Sequence, residues 1–74
     1  MKTYSWNIDI VLKHSGVIMP CVYEGAEKTS DDVFTKIFTN KHPDEIIGLG
    51  CNNGKSNAFI CVSEIAAVDI YVKR

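Results

Sequence analysis

The sequence has no run of charge of one sign, no long apolar stretch, no closely spaced cysteines and only two prolines. Its eight Lys and Arg are scattered among nine Asp and Glu, for a formal charge of -1. A balanced chain leaves no electrostatic footprint for DNA or for an anionic lipid surface. No segment approaches the roughly 20 apolar residues that a membrane span needs. The opening stretch MKTYSWNIDIVLK alternates apolar and polar residues, unlike the continuous apolar core of a secretion signal. Cysteine is sparse and odd in number, at positions 21, 51 and 61, whereas a small secreted domain carries an even, dense set. The expectation is a cytoplasmic protein with reduced thiols, bound neither to DNA nor to membrane.

What remains is ordinary globular material: 46% hydrophobic and 23% charged residues, with seven aromatics, in 74 residues. That length suits one domain over residues 1–74 with a marginal core. Tyr4, Trp6, Ile8, Ile10 and Leu12 alternate with Ser5, Asn7, Asp9 and Lys13, the two-residue period of a half-buried strand. His14 to Gly16 provide a tight reversal, and Val17 to Glu24 form the returning strand. Both faces of this second strand are apolar. Ile18 and Val22 lie on one side, and Val17, Met19, Cys21 and Tyr23 on the other. Pro20 in its middle cannot donate to a ladder, which predicts an edge or bulged strand covered by a helix or a neighbouring subunit.

Ser30 is the expected N-cap of a helix of about nine residues, with Asp31 and Asp32 at the positive end of its dipole. Val33, Phe34, Ile37 and Phe38 make its apolar stripe; Asn40 and Pro43 end it. So short a helix needs a sheet to dock on. Glu45 to Cys51, Asn57 to Val62 and Ile65 to Lys73 then read as three more strands, with a tight corner at SEIAA. The predicted fold is α+β: a bent five-stranded antiparallel sheet or small open β-barrel, in the order β-β-α-β-β-β, with one short helix packed on it. Its predicted core comprises Trp6, Ile8, Ile10, Leu12, Ile18, Val22, Phe34, Ile37, Phe38, Leu49, Ile60, Val68 and Ile70.

One stretch, GLGCNNGKS (Gly48 to Ser56), invites comparison with a phosphate-binding loop. Such a loop needs glycine five positions before its Gly-Lys pair, with a helix following. Leu49 stands at that position, and the β-rich NAFICV follows. Asn53-Gly54 instead predicts a two-residue hairpin turn.

Other chemistries find equally little footing. The cysteines and His14 and His42 form no pair at the short spacing zinc sites use. Neither histidine is placed to serve a nucleophile. No catalytic residue, metal ligand or cofactor is expected, and the chain reads as a non-enzyme. The expected contact residues are Met19, Pro20, Cys21 and Tyr23 on the two-faced strand, with Tyr71 as the best exposed aromatic. They motivate an interaction module that works by self-association, a dimer foremost, and by contact with another protein. Two alternatives stand beside it. Lys28, Lys36 and Lys41, with Tyr23 and Asn52, suggest a small-ligand or nucleotide pocket at the helix–sheet or subunit interface; Tyr71 suggests weak RNA binding.

The stretch IDIVLKHSGVIMPCVYEG resembles the first motif of the Sm-like small β-barrels, and AFICVSEIAAVDI is similar to that family's closing pair of strands. The resemblance covers about half the chain and implies a small barrel. Pro20 stands about where that family often has glycine, and the helix lies inside the chain instead of before the barrel. The family's RNA-contacting elements, Asp-x-hydrophobic-Asn and Arg-Gly, are missing after Tyr23 and after Val62, so uridine binding is not implied. The LKHSG, YEG and SEIAA segments also resemble small proteins encoded by prophages of Gram-positive bacteria.

Overall fold

The structure, a computed structural model, describes residues 2–73. Strands β1 (Tyr4–Leu12) and β2 (Ile18–Gly25) form the first hairpin. Helix α1 (Ser30–Phe38) follows, then β3 (Ile46–Cys51) and β4 (Ser56–Cys61), a single 3-10 turn over Val62–Glu64, and β5 (Ile65–Val72). The strands make one antiparallel sheet in the order β4-β3-β2-β1-β5.

The alternation along β1 sets the register of everything beside it. Trp6, Ile8 and Ile10 face Tyr23, Cys21 and Met19 of β2 on one side, and Val72, Ile70 and Val68 of β5 on the other. The same apolar face continues through Ile47 and Leu49 of β3 and Ala58 and Ile60 of β4, and all of these strands share one buried cluster. Residues from both ends of the sheet, Ala58 and Ile60 of β4 and Val68 and Ile70 of β5, lie in or against this one cluster. Pairing between β2 and β3 is short, limited to Cys21 with Cys51 and Val22 with Gly50. The sheet is nevertheless open, with β4 and β5 as its two ends.

Val33 of α1 enters the core fully buried, and Ile37 and Phe38 pack against it. Burial of side chains such as Ile8, Ile10 and Val33 supplies roughly 1.5–3 kcal/mol each before entropy is subtracted. Ahead of the helix, the Trp6 indole N–H donates to the Glu27 carbonyl oxygen at 3.2 Å, and the Tyr23 hydroxyl donates to the Glu27 carboxylate at 2.7 Å. These bonds tie the β2–α1 connection to the sheet.

Several sequence expectations need correction. Thr29, not Ser30, is the N-cap; its hydroxyl accepts from the Asp32 N–H at 3.1 Å, three residues on as capping requires. The β3–β4 turn has four residues, Asn52 to Lys55, because the ladder closes at Cys51 and Ser56. Asn52, Asn53 and Gly54 all take positive φ, and the Asn52 amide donates to the Ser56 hydroxyl at 2.9 Å. With β4 starting at Ser56, no helix follows the Gly-Lys pair. β2 is an interior strand, paired with β1 along its whole length. Pro20 is accommodated because the β3 ladder stops at Cys21, so Ile18 to Pro20 have no partner on that side. Ile18 and Phe34, expected inside, are 60% and 45% exposed, and Val22 is only half-buried.

Candidate interaction surface

The predicted contact residues do not share one surface. Met19, Cys21 and Tyr23 point to the core side of β2, and Cys21 is only 1% exposed, which leaves it nothing to offer a partner. Pro20 lies on the opposite face, across from Asp9, and is exposed. Tyr71 lies on that same outer face of the β1–β5 pair, with Asn7 directly across; its hydroxyl donates to Asp9 at 3.1 Å. This hydrogen bond, together with desolvation and the nearby Asp9 and Asp69 charges, pushes the Tyr71 phenol above its ordinary pKa. Asp9 and Asp69 stand opposite each other in the ladder. Like charges so placed repel, and they make this face inhospitable to phosphate.

The lysines named for a ligand pocket are also dispersed. Lys28 and Lys36 border an open cleft of about 450 Å³ that also carries Glu27 and Asp32. Lys41 reaches Glu45 at 3.9 Å, and Asn52 belongs to the β3–β4 turn. Bonding from Tyr23 holds the Glu27 carboxyl below the usual glutamate range, while burial and the Glu27 bond raise the Tyr23 phenol. His14 and His42 are exposed, beside Glu64 at 3.4 Å and Asp44 at 3.7 Å. Among the described residues, no three His, Cys, Asp or Glu side chains converge on a point that could hold a metal. No described helix is long and apolar enough to cross a membrane.

A different surface stands out on the β3–β4 hairpin. Because Ala58 and Ile60 face the core, strand periodicity sends Phe59 outward, where it is 75% exposed. Its ring lies beside Gly48, directly opposite in the ladder; a Cβ there would come within 3.1 Å of it. Glycine thus makes room for the ring to lie across β3. Ile46, two residues away on the same face, is 66% exposed. The strand carrying Phe59 is also an end strand of the sheet, so its outer row of backbone donors and acceptors has no strand partner among the described residues.

Natural edge strands are blunted with charge, proline or a bulge. β4 has none of these: Ser56 to Ser63 contain no charged residue and no proline, and its ladder with β3 runs without interruption. Lys55 and Glu64 merely bracket it. The other end strand, β5, carries Asp69 and has α1 packed near it. Between α1 and the start of β5 runs an apolar groove of about 470 Å³, lined by Phe34, Phe38, Val62, Ile65 and Val68 among others. Phe34 and Phe38 stack there with ring centres 5.5 Å apart.

Sequence reasoning missed Phe59 and Ile46 as surface residues. The signal was available in the alternation of NAFICV, where Phe59 falls out of phase with Ala58 and Ile60. It was indistinct because both phases are apolar. In comparison with known proteins, the chain matches no family model, no curated protein and no solved structure.

Proposed function

We propose that this chain is a non-enzymatic interaction module that self-associates through the free edge of β4. The observation that carries the reading is an uncharged, unpaired strand edge bearing a phenylalanine that is three-quarters exposed. Two copies related by a twofold axis pair β4 with β4 in antiparallel fashion, satisfying backbone groups that otherwise face water. The same pairing brings Phe59 and Ile46 of both copies onto one continuous face. Side chains that become neighbours across the new ladder then cover part of Phe59, and each Å² of apolar surface removed from water contributes about 25 cal/mol. A reduced cytoplasmic setting suits three free thiols, two of them partly exposed.

The test is sedimentation velocity from low to high micromolar concentration, on the wild type and on Phe59→Glu. The expected result is a dimer for the wild type and a monomer with unchanged circular dichroism for the variant. A wild type that stays strictly monomeric throughout contradicts the proposal.

A second reading is favoured by the groove between α1 and β5. Its apolar lining and stacked Phe34–Phe38 pair suit a small hydrophobic ligand better than a nucleotide. A thermal-shift screen separates the two readings. A saturable stabilisation lost in Phe34→Ala supports a ligand, and silence across apolar metabolites leaves the pairing reading in place.

A further inference from the structure

We propose that Cys21 and Cys51 form a dithiol that closes to a disulfide across the β2–β3 junction when the protein meets a low-molecular-weight disulfide. The two residues are direct partners in the antiparallel register, on the core side of the sheet. Partners in such a ladder have Cα atoms about 4.5–5.5 Å apart, within the roughly 4.4–6.8 Å that disulfides span. Both thiols are free in this structure. Their proximity also registers electrostatically: the Cys21 thiol is pushed up first by burial and then by the neighbouring Cys51 and Asp9 charges.

The two cysteines differ in access, and that difference orders the chemistry. Cys51 is half-buried, at the end of β3 beside the Asn52 turn, and its sulfur lies 3.2 Å from the Ser56 hydroxyl. Its thiolate attacks one sulfur of an oxidised-glutathione-type disulfide; that S–S bond breaks and one thiolate leaves with the electron pair. Cys21, which is buried, then gives up its proton and attacks the Cys51 sulfur, expelling the second small thiol. Two protein thiols are oxidised and one external disulfide is reduced to two thiols. Cys61 has no part in this. It lies on the outer face of β4 opposite Ile46, its sulfur 3.3 Å from the Pro43 carbonyl oxygen.

The location gives the bond a consequence. β2 and β3 are joined by only two paired positions, and one of them is this cysteine pair. A disulfide there fastens the β3–β4 hairpin to the rest of the sheet and closes a loop of roughly 30 residues containing α1. The test is incubation of the purified protein with oxidised glutathione at about pH 8.5, followed by mass mapping of blocked and linked cysteines. The expected result is a Cys21–Cys51 link within one chain, with Cys61 left free and the melting temperature raised by about 10 °C or more. Dithiothreitol reverses both changes, Cys61→Ala retains them, and Cys51→Ala abolishes them. Three thiols that stay free, linkage through Cys61 between chains, or a Cys21–Cys51 link without stabilisation would each overturn the proposal.

Discussion

Phe59 and Ile8 are both apolar residues at alternating strand positions, and their fates are opposite. Ile8 is fully buried between Cys21 and Ile70, whereas Phe59 lies across Gly48 in water. Truncating Ile8 to Ala therefore leaves a cavity in the core and costs about 2–5 kcal/mol, measurable by urea unfolding. Phe59→Ala leaves no cavity and keeps unfolding of the isolated chain nearly unchanged. Titration behaviour is equally local. Cys21, Tyr23 and Tyr71 have raised pKa values, so in each case the folded state holds its proton more tightly than the unfolded chain. Their contribution is complete below the ordinary thiol and phenol ranges and disappears as pH rises through the folded values. Glu27 has the opposite sign: its depressed pKa gives stability above the ordinary glutamate range that is lost on acidification. Melting temperature should accordingly fall on both the alkaline and the acid side. Cys21→Ala should flatten the first part of the alkaline fall, and Tyr23→Phe the acid fall. Persistence of both slopes in these variants contradicts the assignments.

At the scale of elements, the sequence showed the strands and the helix clearly because their periodicities are strong. It showed faces less well. Ile18 and Ile46 belong to strands that are apolar on both sides, and periodicity separates the two faces without saying which is inside. Phe34 shares a stripe with Val33, yet the helix buries Val33 and leaves Phe34 beside the β5 groove. The interior placement of β2 was hidden for a different reason: Pro20 forbids one ladder bond, and only the early end of the β3 ladder shows that none is needed. The expected two-residue turn was displaced because Asn52 also tolerates the left-handed region, letting the loop spread over four residues. Asn53 has φ of 58°, so Asn53→Ala should destabilise by about 1 kcal/mol. Asn53→Gly should be neutral or slightly favourable. Equal effects of the two substitutions in chemical unfolding would refute a left-handed strain at this position. The contact surface was the least legible feature, since the five chosen residues, four on one two-faced strand together with Tyr71, divide between core and exterior.

For the whole molecule, exposure is the telling quantity. The accessible surface is 5088 Å², against about 4,500 Å² expected for a folded monomer of this mass. Large apolar side chains are left outside, among them Ile46 at 66% and Phe59 at 75% exposure. Nine buried apolar residues among those described also make a marginal core for so short a chain, and pairing at β4 would bury further surface at the sheet edge. Sedimentation of the wild type beside Phe59→Glu tests this most directly. Concentration-dependent dimerisation that the glutamate abolishes, with secondary structure intact, is the predicted result; a wild type and variant that sediment alike as monomers at high micromolar concentration would contradict it.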